Sequence, residues 1–168
     1  MIISVIILII SFLFEGLMSS YFSSSFASLN MFSTMYTLIA LIVIFPYFYN
    51  EKKYYILLII FGVLMDIIYT NTFMMNVILF IIISIFIRIL NYLLPENVLM
   101  LNIISVSSVV VYHILSFIIL KIINYNVYPI STLFDICINS ILMTIIYTSL
   151  LYFISKYFFI KFDKKQIR

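Results

Sequence analysis

The sequence predicts an all-α integral membrane protein, a bundle of six transmembrane helices. Its 168 residues are 66% hydrophobic and only 9% charged, whereas a soluble domain holds about 25% charged and about 45–50% apolar residues. Mean hydropathy is +1.29, and a chain of this size has too high a surface-to-volume ratio to hide so much apolar surface from water. The apolar residues fall into runs of the roughly 20 residues that a spanning helix needs, separated by short polar breaks. The solvent of such a chain is lipid.

The first helix is expected from Met1 to about Met18, followed by the Ser-rich "SSYFSSSFASLN", which reads as a loop. No Lys or Arg precedes its apolar core and Glu15 lies within it. It is therefore read as a retained helix and not as a cleaved signal peptide. The second helix is expected from about Met31 to Tyr49, before the charged break Asn50 to Lys53, and the third from Tyr54 to "YTNT" near Tyr69. The fourth is expected from about Phe73 to "RILNYLLPEN", with Pro95 and Glu96 making the turn. The fifth spans about Val98 to Ile123, and the sixth about Ser131 to Phe159. Residues 1–160 thus read as a single transmembrane domain, and 161–168 as a short basic cytoplasmic tail. A single cysteine, Cys137, rules out an intrachain disulfide.

Basic residues prefer cytoplasmic loops. With the N-terminus inside, Lys52, Lys53, Arg88, Lys156, Lys161, Lys164, Lys165 and Arg168 all collect on the inner side, and Lys121 alone on the outer. Tyrosines cluster at the expected helix ends (Tyr47, Tyr49, Tyr54, Tyr55, Tyr92, Tyr125, Tyr128 and Tyr157), as an aromatic belt does. The charge asymmetry places the N-terminus and the C-terminus in the cytoplasm, and the tyrosines agree with the helix ends it implies.

Function would have to be written in the polar residues of the spans, because an ionisable group in hydrocarbon costs roughly 2.5–3.5 kcal/mol at mid-helix and usually faces protein or water. From Tyr54 to Asp66 is a climb of about 18 Å, which leaves Asp66 in the outer half of the membrane. There it either closes the tight turn before the fourth helix, pairing with Thr or Asn of "YTNT", or forms a structural or partner-contacting site; the two roles are compatible. Ser105, Ser108, Tyr112 and Ser116 share a face of the fifth helix, with His113 beside them. Ser140, Thr144 and Thr148 share a face of the sixth, with Asp135 and Asn139 on the adjoining one. Small and hydroxylated residues are the usual packing surface between helices in lipid, so these stripes are expected to face the bundle interior; a ligand or proton path is the sharper alternative. Glu15, His113 and Asp135 are the interior polar candidates, Glu15 lying near the outer end of the first helix within reach of the interface, and Arg88 is expected to snorkel to the head groups. No metal-ligand, nucleophile-elbow or phosphate-loop motif is present. The expectation is a protein that binds or packs, with no enzymatic activity, cofactor or nucleic-acid partner.

The stretch "GVLMDIIYTNTFMMNVILFII", residues 62–82, resembles the signature of the rod shape-determining protein MreD family: Gly, two apolar residues, any residue, Asp, a short turn, an Asn or His, and a second apolar helix. Gly62, Asp66 and Asn76 fall on its small and polar positions. The likeness extends to the chain length, to a first helix ending in an acid (Glu15), to the basic break after the second helix, and to "TLFDICIN" in the sixth, which places Asn139 where the family often has Asn. One departure is that the family's glycines in the turn and at the start of the fourth helix are here Thr70, Asn71 and Met74. The resemblance implies a bacterial plasma-membrane subunit of the cell-elongation machinery. Its partners would be an MreC-like periplasmic scaffold, MreB-type filaments and the peptidoglycan polymerase and transpeptidase. The family is also similar in fold to the substrate-binding subunits of energy-coupling-factor transporters, so a small-molecule (vitamin) uptake subunit is the alternative function.

Overall fold

A computed structural model describes residues 2–22, 34–48, 51–70, 72, 74–93, 97–123 and 129–166. These fold into six helices: α1 (Ile2–Phe22), α2 (Tyr36–Ile44), α3 (Glu51–Met65), α4 (Met75–Leu93), α5 (Val98–Ile122) and α6 (Ile130–Gln166). Among the described residues there is no strand. Four helical segments are long and apolar enough to cross a membrane, namely Glu51–Thr70, Met75–Leu93, Val98–Ile122 and Ile130–Phe158; α1 and α2 supply the shorter apolar stretches Ile3–Ser19 and Tyr36–Tyr47. The protein is a membrane protein by this measure.

Several boundaries differ from the expected ones, each for a local reason. The second helix is shorter than 31–49, because Pro46 ends it in a single 3-10 turn, Phe45–Tyr47. The charged break is no loop: Glu51 to Lys53 form the first turn of α3, where the Glu51 carboxylate suits the positive end of the helix dipole. At the other end the span stops at Phe158, as expected, and α6 continues beyond it as helix to Gln166. Asn71, Pro95 and Glu96, most of the Ser-rich segment and Arg168 lie outside the described residues.

The bundle is organised around α2. Every residue from Tyr36 to Ile44 is buried, as expected for a helix that is apolar all round, and α2 packs against α1, α4, α5 and α6. The faces that enclose it carry small hydroxylated residues, which let helices approach closely in lipid. Ser105, Ser108, Ser116, Ser140, Thr144 and Thr148 are all buried, which places the two stripes of the fifth and sixth helices in the interior. Some of these hydroxyls return to their own helix, Ser116 to the His113 carbonyl (3.0 Å) and Thr144 to that of Ser140 (2.7 Å). Such back-bonding lets a polar residue sit in an apolar interface at little cost. Between helices, the Asn102 amide donates to Ser149 (3.0 Å) and sets the antiparallel register of α5 and α6.

α3 and α4 form a close antiparallel hairpin. A Cβ built at Gly62 would lie 3.0 Å from the Val77 Cα and 3.2 Å from its amide nitrogen, so the glycine is what lets the two backbones touch. Gly62→Leu is expected to lower stability by about 3 kcal/mol, at the upper end of overpacking costs, read as an earlier thermal midpoint in detergent. Arg88, expected to snorkel to the head groups, has a partner there. It pairs with Glu51 at 3.1 Å, both side chains being about half exposed (57% and 50%), because the hairpin brings the end of α4 beside the start of α3. A pair so open to solvent contributes at most about 1 kcal/mol.

Candidate functional site

α3 ends in one turn of wider π-helix, Asp66–Thr70, whose first residue is buried. Such turns are frequent at functional positions. Asp66 turns back from it onto the first turn of α4. Its Oδ1 accepts from the Asn76 amide N–H (3.0 Å), the Asn76 Nδ2 (2.9 Å) and the Thr72 hydroxyl (2.6 Å), and Oδ2 shares the same N–H at 3.2 Å. Asn76 is the second residue of α4, where a backbone N–H has no partner within its own helix. The carboxylate is therefore a helix cap supplied by the preceding helix, worth typically about 1 kcal/mol, and it also meets the positive end of the α4 dipole.

The surrounding hydrogen bonds have one consistent direction. The single Thr72 proton goes to the carboxylate, so in the Thr70–Thr72 contact of 2.7 Å Thr70 must be the donor. Asn76 Nδ2 also donates to Thr70 (3.0 Å), and the Tyr112 hydroxyl of α5 donates to Asn76 Oδ1. Four residues from two hairpins, Thr70, Thr72, Asn76 and Tyr112, thus join one network around the acid.

Met74, just before α4, has φ of +55°, the left-handed region that costs a side-chain-bearing residue roughly 1–2 kcal/mol. Its side chain is about half exposed and contributes little packing. Met74→Gly is expected to raise stability by about 0.5–1 kcal/mol once the entropy of glycine is set against the relieved strain, measured as a later thermal midpoint.

Glu15, one of the interior polar candidates, lies in the interior near the end of α1. It is buried, and its Oε2 accepts both the Thr37 backbone N–H (3.0 Å) and the Thr37 hydroxyl (2.6 Å). Thr37 is the second residue of α2, so Glu15 does for α2 what Asp66 does for α4. The physical reason is shared: an orphan amide at a buried helix start needs an acceptor, and a neighbouring helix provides it. Tyrosines fasten this arrangement. The Tyr69 hydroxyl of the π-turn donates to the Phe12 carbonyl of α1 (2.8 Å), and Tyr147 of α6 donates to Ser11 (2.8 Å). The rings of Phe14, Tyr36 and Tyr147 pack against one another at 4.9–5.7 Å.

The other expected site residues divide. His113 is buried beside Tyr112, with ring centroids 5.7 Å apart. Asn139 is half-buried on α6 and level with Tyr112 by the Asn102–Ser149 register, but it is not one of the residues bonded around Asp66. Asp135, expected in the interior, is exposed in the second turn of α6 and makes no hydrogen bond or ion pair among the described residues. Its height explains this. From Asp135 to Lys156 is 21 residues (156 − 135), about 31 Å, close to the ~30 Å of a bilayer core, so the two charges suit its two opposite edges. Asp135 therefore stands apart from the buried Glu15 and His113. Among the described residues no group of His, Cys, Asp and Glu is arranged to hold a metal ion.

Thr37, Tyr69 and Tyr147 carry no signal in the sequence. Each acts through a partner between 22 and 136 positions away. No protein-family model matches the chain, and no curated protein or solved structure is significantly similar to it.

Proposed function

We propose that the chain is a non-catalytic, multi-pass subunit of the bacterial plasma membrane that organises peptidoglycan synthesis in elongating cells by holding an MreC-like scaffold. MreB-type filaments and the peptidoglycan polymerase and transpeptidase act in the same assembly. Six spans with both termini in the cytoplasm, and a fold like that of energy-coupling-factor substrate-binding subunits, belong to this proposal.

The observation that supports it best is that Gly62, Asp66 and Asn76, the positions on which the resemblance rests, work as one unit. Gly62 admits the α4 backbone at Val77, and Asp66 caps Asn76 at the neighbouring position. Chance matches in an apolar run have no reason to meet in space. Met74 adds weight, since it holds a backbone angle suited to glycine where the family has one. A hairpin pinned in this way suits a fixed docking element, whose binding loses little entropy to ordering.

The test is a detergent pull-down of the full chain from its host. Recovery of an MreC-like scaffold is expected; recovery of an ATPase-driven transporter module, or of neither, overturns the proposal. Topology has its own check. A reporter active only outside the cytoplasm, fused after Arg168, is expected to stay silent, and a strong signal would reverse the orientation.

A further inference from the structure

The two capping acids lie on different helices, and one side chain stands between them. The π-turn is clamped at both ends. Asp66, its first residue, is fixed on α4 through Asn76 and Thr72, and the Thr72 backbone N–H closes on the Asp66 carbonyl at 3.2 Å. Tyr69, its fourth, reaches α1, where its hydroxyl donates to the Phe12 carbonyl at 2.8 Å and its ring lies 4.9 Å from that of Phe12. Between these clamps Ile67 and Ile68 are 69% and 57% exposed, so packing does little to hold the turn.

The seat on α1 is shaped for that ring. Phe12 and Gly16 are four residues apart and share a face of the helix. A Cβ built at Gly16 would overlap the Tyr69 hydroxyl and lie 3.0 Å from two carbons of its ring, so a side chain there pushes the tyrosine away. Glu15, the neighbour of Gly16, holds the Thr37 N–H at the start of α2. A continuous path thus runs from the Asn76 amide of α4 through Asp66, Tyr69 and the Phe12–Gly16 turn of α1 to Glu15 and the Thr37 amide of α2. Contiguity alone does not carry energy; a segment with two arrangements does. The π-turn is such a segment. Relaxed to α-helix, it would rotate the residues after Asp66 by about 100°, one residue's share of a 3.6-residue turn. Tyr69 could not then keep its seat while Asp66 stayed on Asn76.

We infer that the two acid caps are energetically coupled. The π-turn is the joint, and Tyr69 is the positioning residue that transmits the state of the α3–α4 turn to α2, the central helix. With Asp66 on its donors, the turn is wide, Tyr69 is seated and Glu15 holds the Thr37 amide. When the carboxylate loses its donors, the turn relaxes, Tyr69 leaves Gly16 and the start of α2 loses the support of its cap. The inference is independent of the scaffold proposed above, because whatever moves the turn is felt at the centre of the bundle.

The experiment is amide hydrogen exchange on the full chain in detergent, which reads local opening segment by segment. The reporter is the Thr37 amide, and the control is the middle of α5, residues 104–109. Asp66→Asn is expected to speed exchange at Thr37 roughly tenfold, within the usual range for coupled sites, and to leave the control unchanged. Thr72→Val removes one donor to Asp66 and keeps the shape; it is expected to act in the same direction and serves where Asp66→Asn does not fold. Tyr69→Phe and Gly16→Ala are each expected to cut the path. Exchange at Thr37 then rises, and adding Asp66→Asn or Thr72→Val raises it no further. An unchanged Thr37 amide, a rise shared equally by α5, or an Asp66→Asn effect that persists in full beside Tyr69→Phe would each overturn the inference.

Discussion

Asp66→Asn is expected to destabilise the protein by roughly 2–4 kcal/mol, more than an exposed substitution could, because it breaks a buried, charge-assisted network. Every contact of this carboxylate is as an acceptor: Oδ1 takes Thr72 Oγ1, Asn76 N and Asn76 Nδ2, and Oδ2 shares the Asn76 N–H. An asparagine oxygen in the Oδ1 place keeps those acceptor bonds, but its NH2 then faces the Asn76 N–H that Oδ2 shares, and the charge that meets the α4 dipole is lost. The loss should appear as a much earlier thermal midpoint in detergent, followed by size exclusion after heating, and as reduced scaffold recovery. An unchanged midpoint would mean that the carboxylate does not hold the turn. Asp66→Glu should fail as well, since the extra methylene displaces the oxygens from an amide that they approach at 3.0 and 3.2 Å.

Glu15 should behave differently, and the contrast is diagnostic. One oxygen of Glu15 accepts both Thr37 bonds, so the carbonyl of a glutamine can replace it. Glu15→Gln is expected to cost less than about 1 kcal/mol, close to the net value of one ordinary hydrogen bond. Glu15→Leu leaves the Thr37 amide and hydroxyl, both enclosed, without their acceptor, and is expected to cost about 2–3 kcal/mol. Measured side by side as thermal midpoints, the order Gln above Leu supports the capping role. Equal losses in the two variants would point to the charge itself.

Much of the architecture was legible before any coordinates. The starts of α4 and α5, the buried hydroxyl faces of α5 and α6, and the closing of the turn by Asp66 with "YTNT" side chains all follow from apolar runs, three- and four-residue spacing, and the penalty on a charge in lipid. What escaped was of one kind. Counting along a helix gives a residue's height but not its rotation or its neighbour. Glu15 counted as an interior residue near the end of α1 without showing that it caps α2, and the height of Arg88 did not reveal that it meets Glu51 across a hairpin. Asp135 counted as interior yet stands on the open side of α6.

Composition alone settles that lipid is the solvent, that helices are the secondary structure, and that a carboxylate within a span must be met by protein. Which helix lies at the centre, and which donors meet each acid, emerged only when the helices packed. The reason lies in the solvent. In water an apolar stripe marks the side of a helix that turns inward, but in lipid an isoleucine is equally at home facing the bundle or the acyl chains. Ile42 at the centre of α2 and Ile138 on the bare side of α6 therefore read alike in the chain, although one is fully enclosed and the other largely exposed.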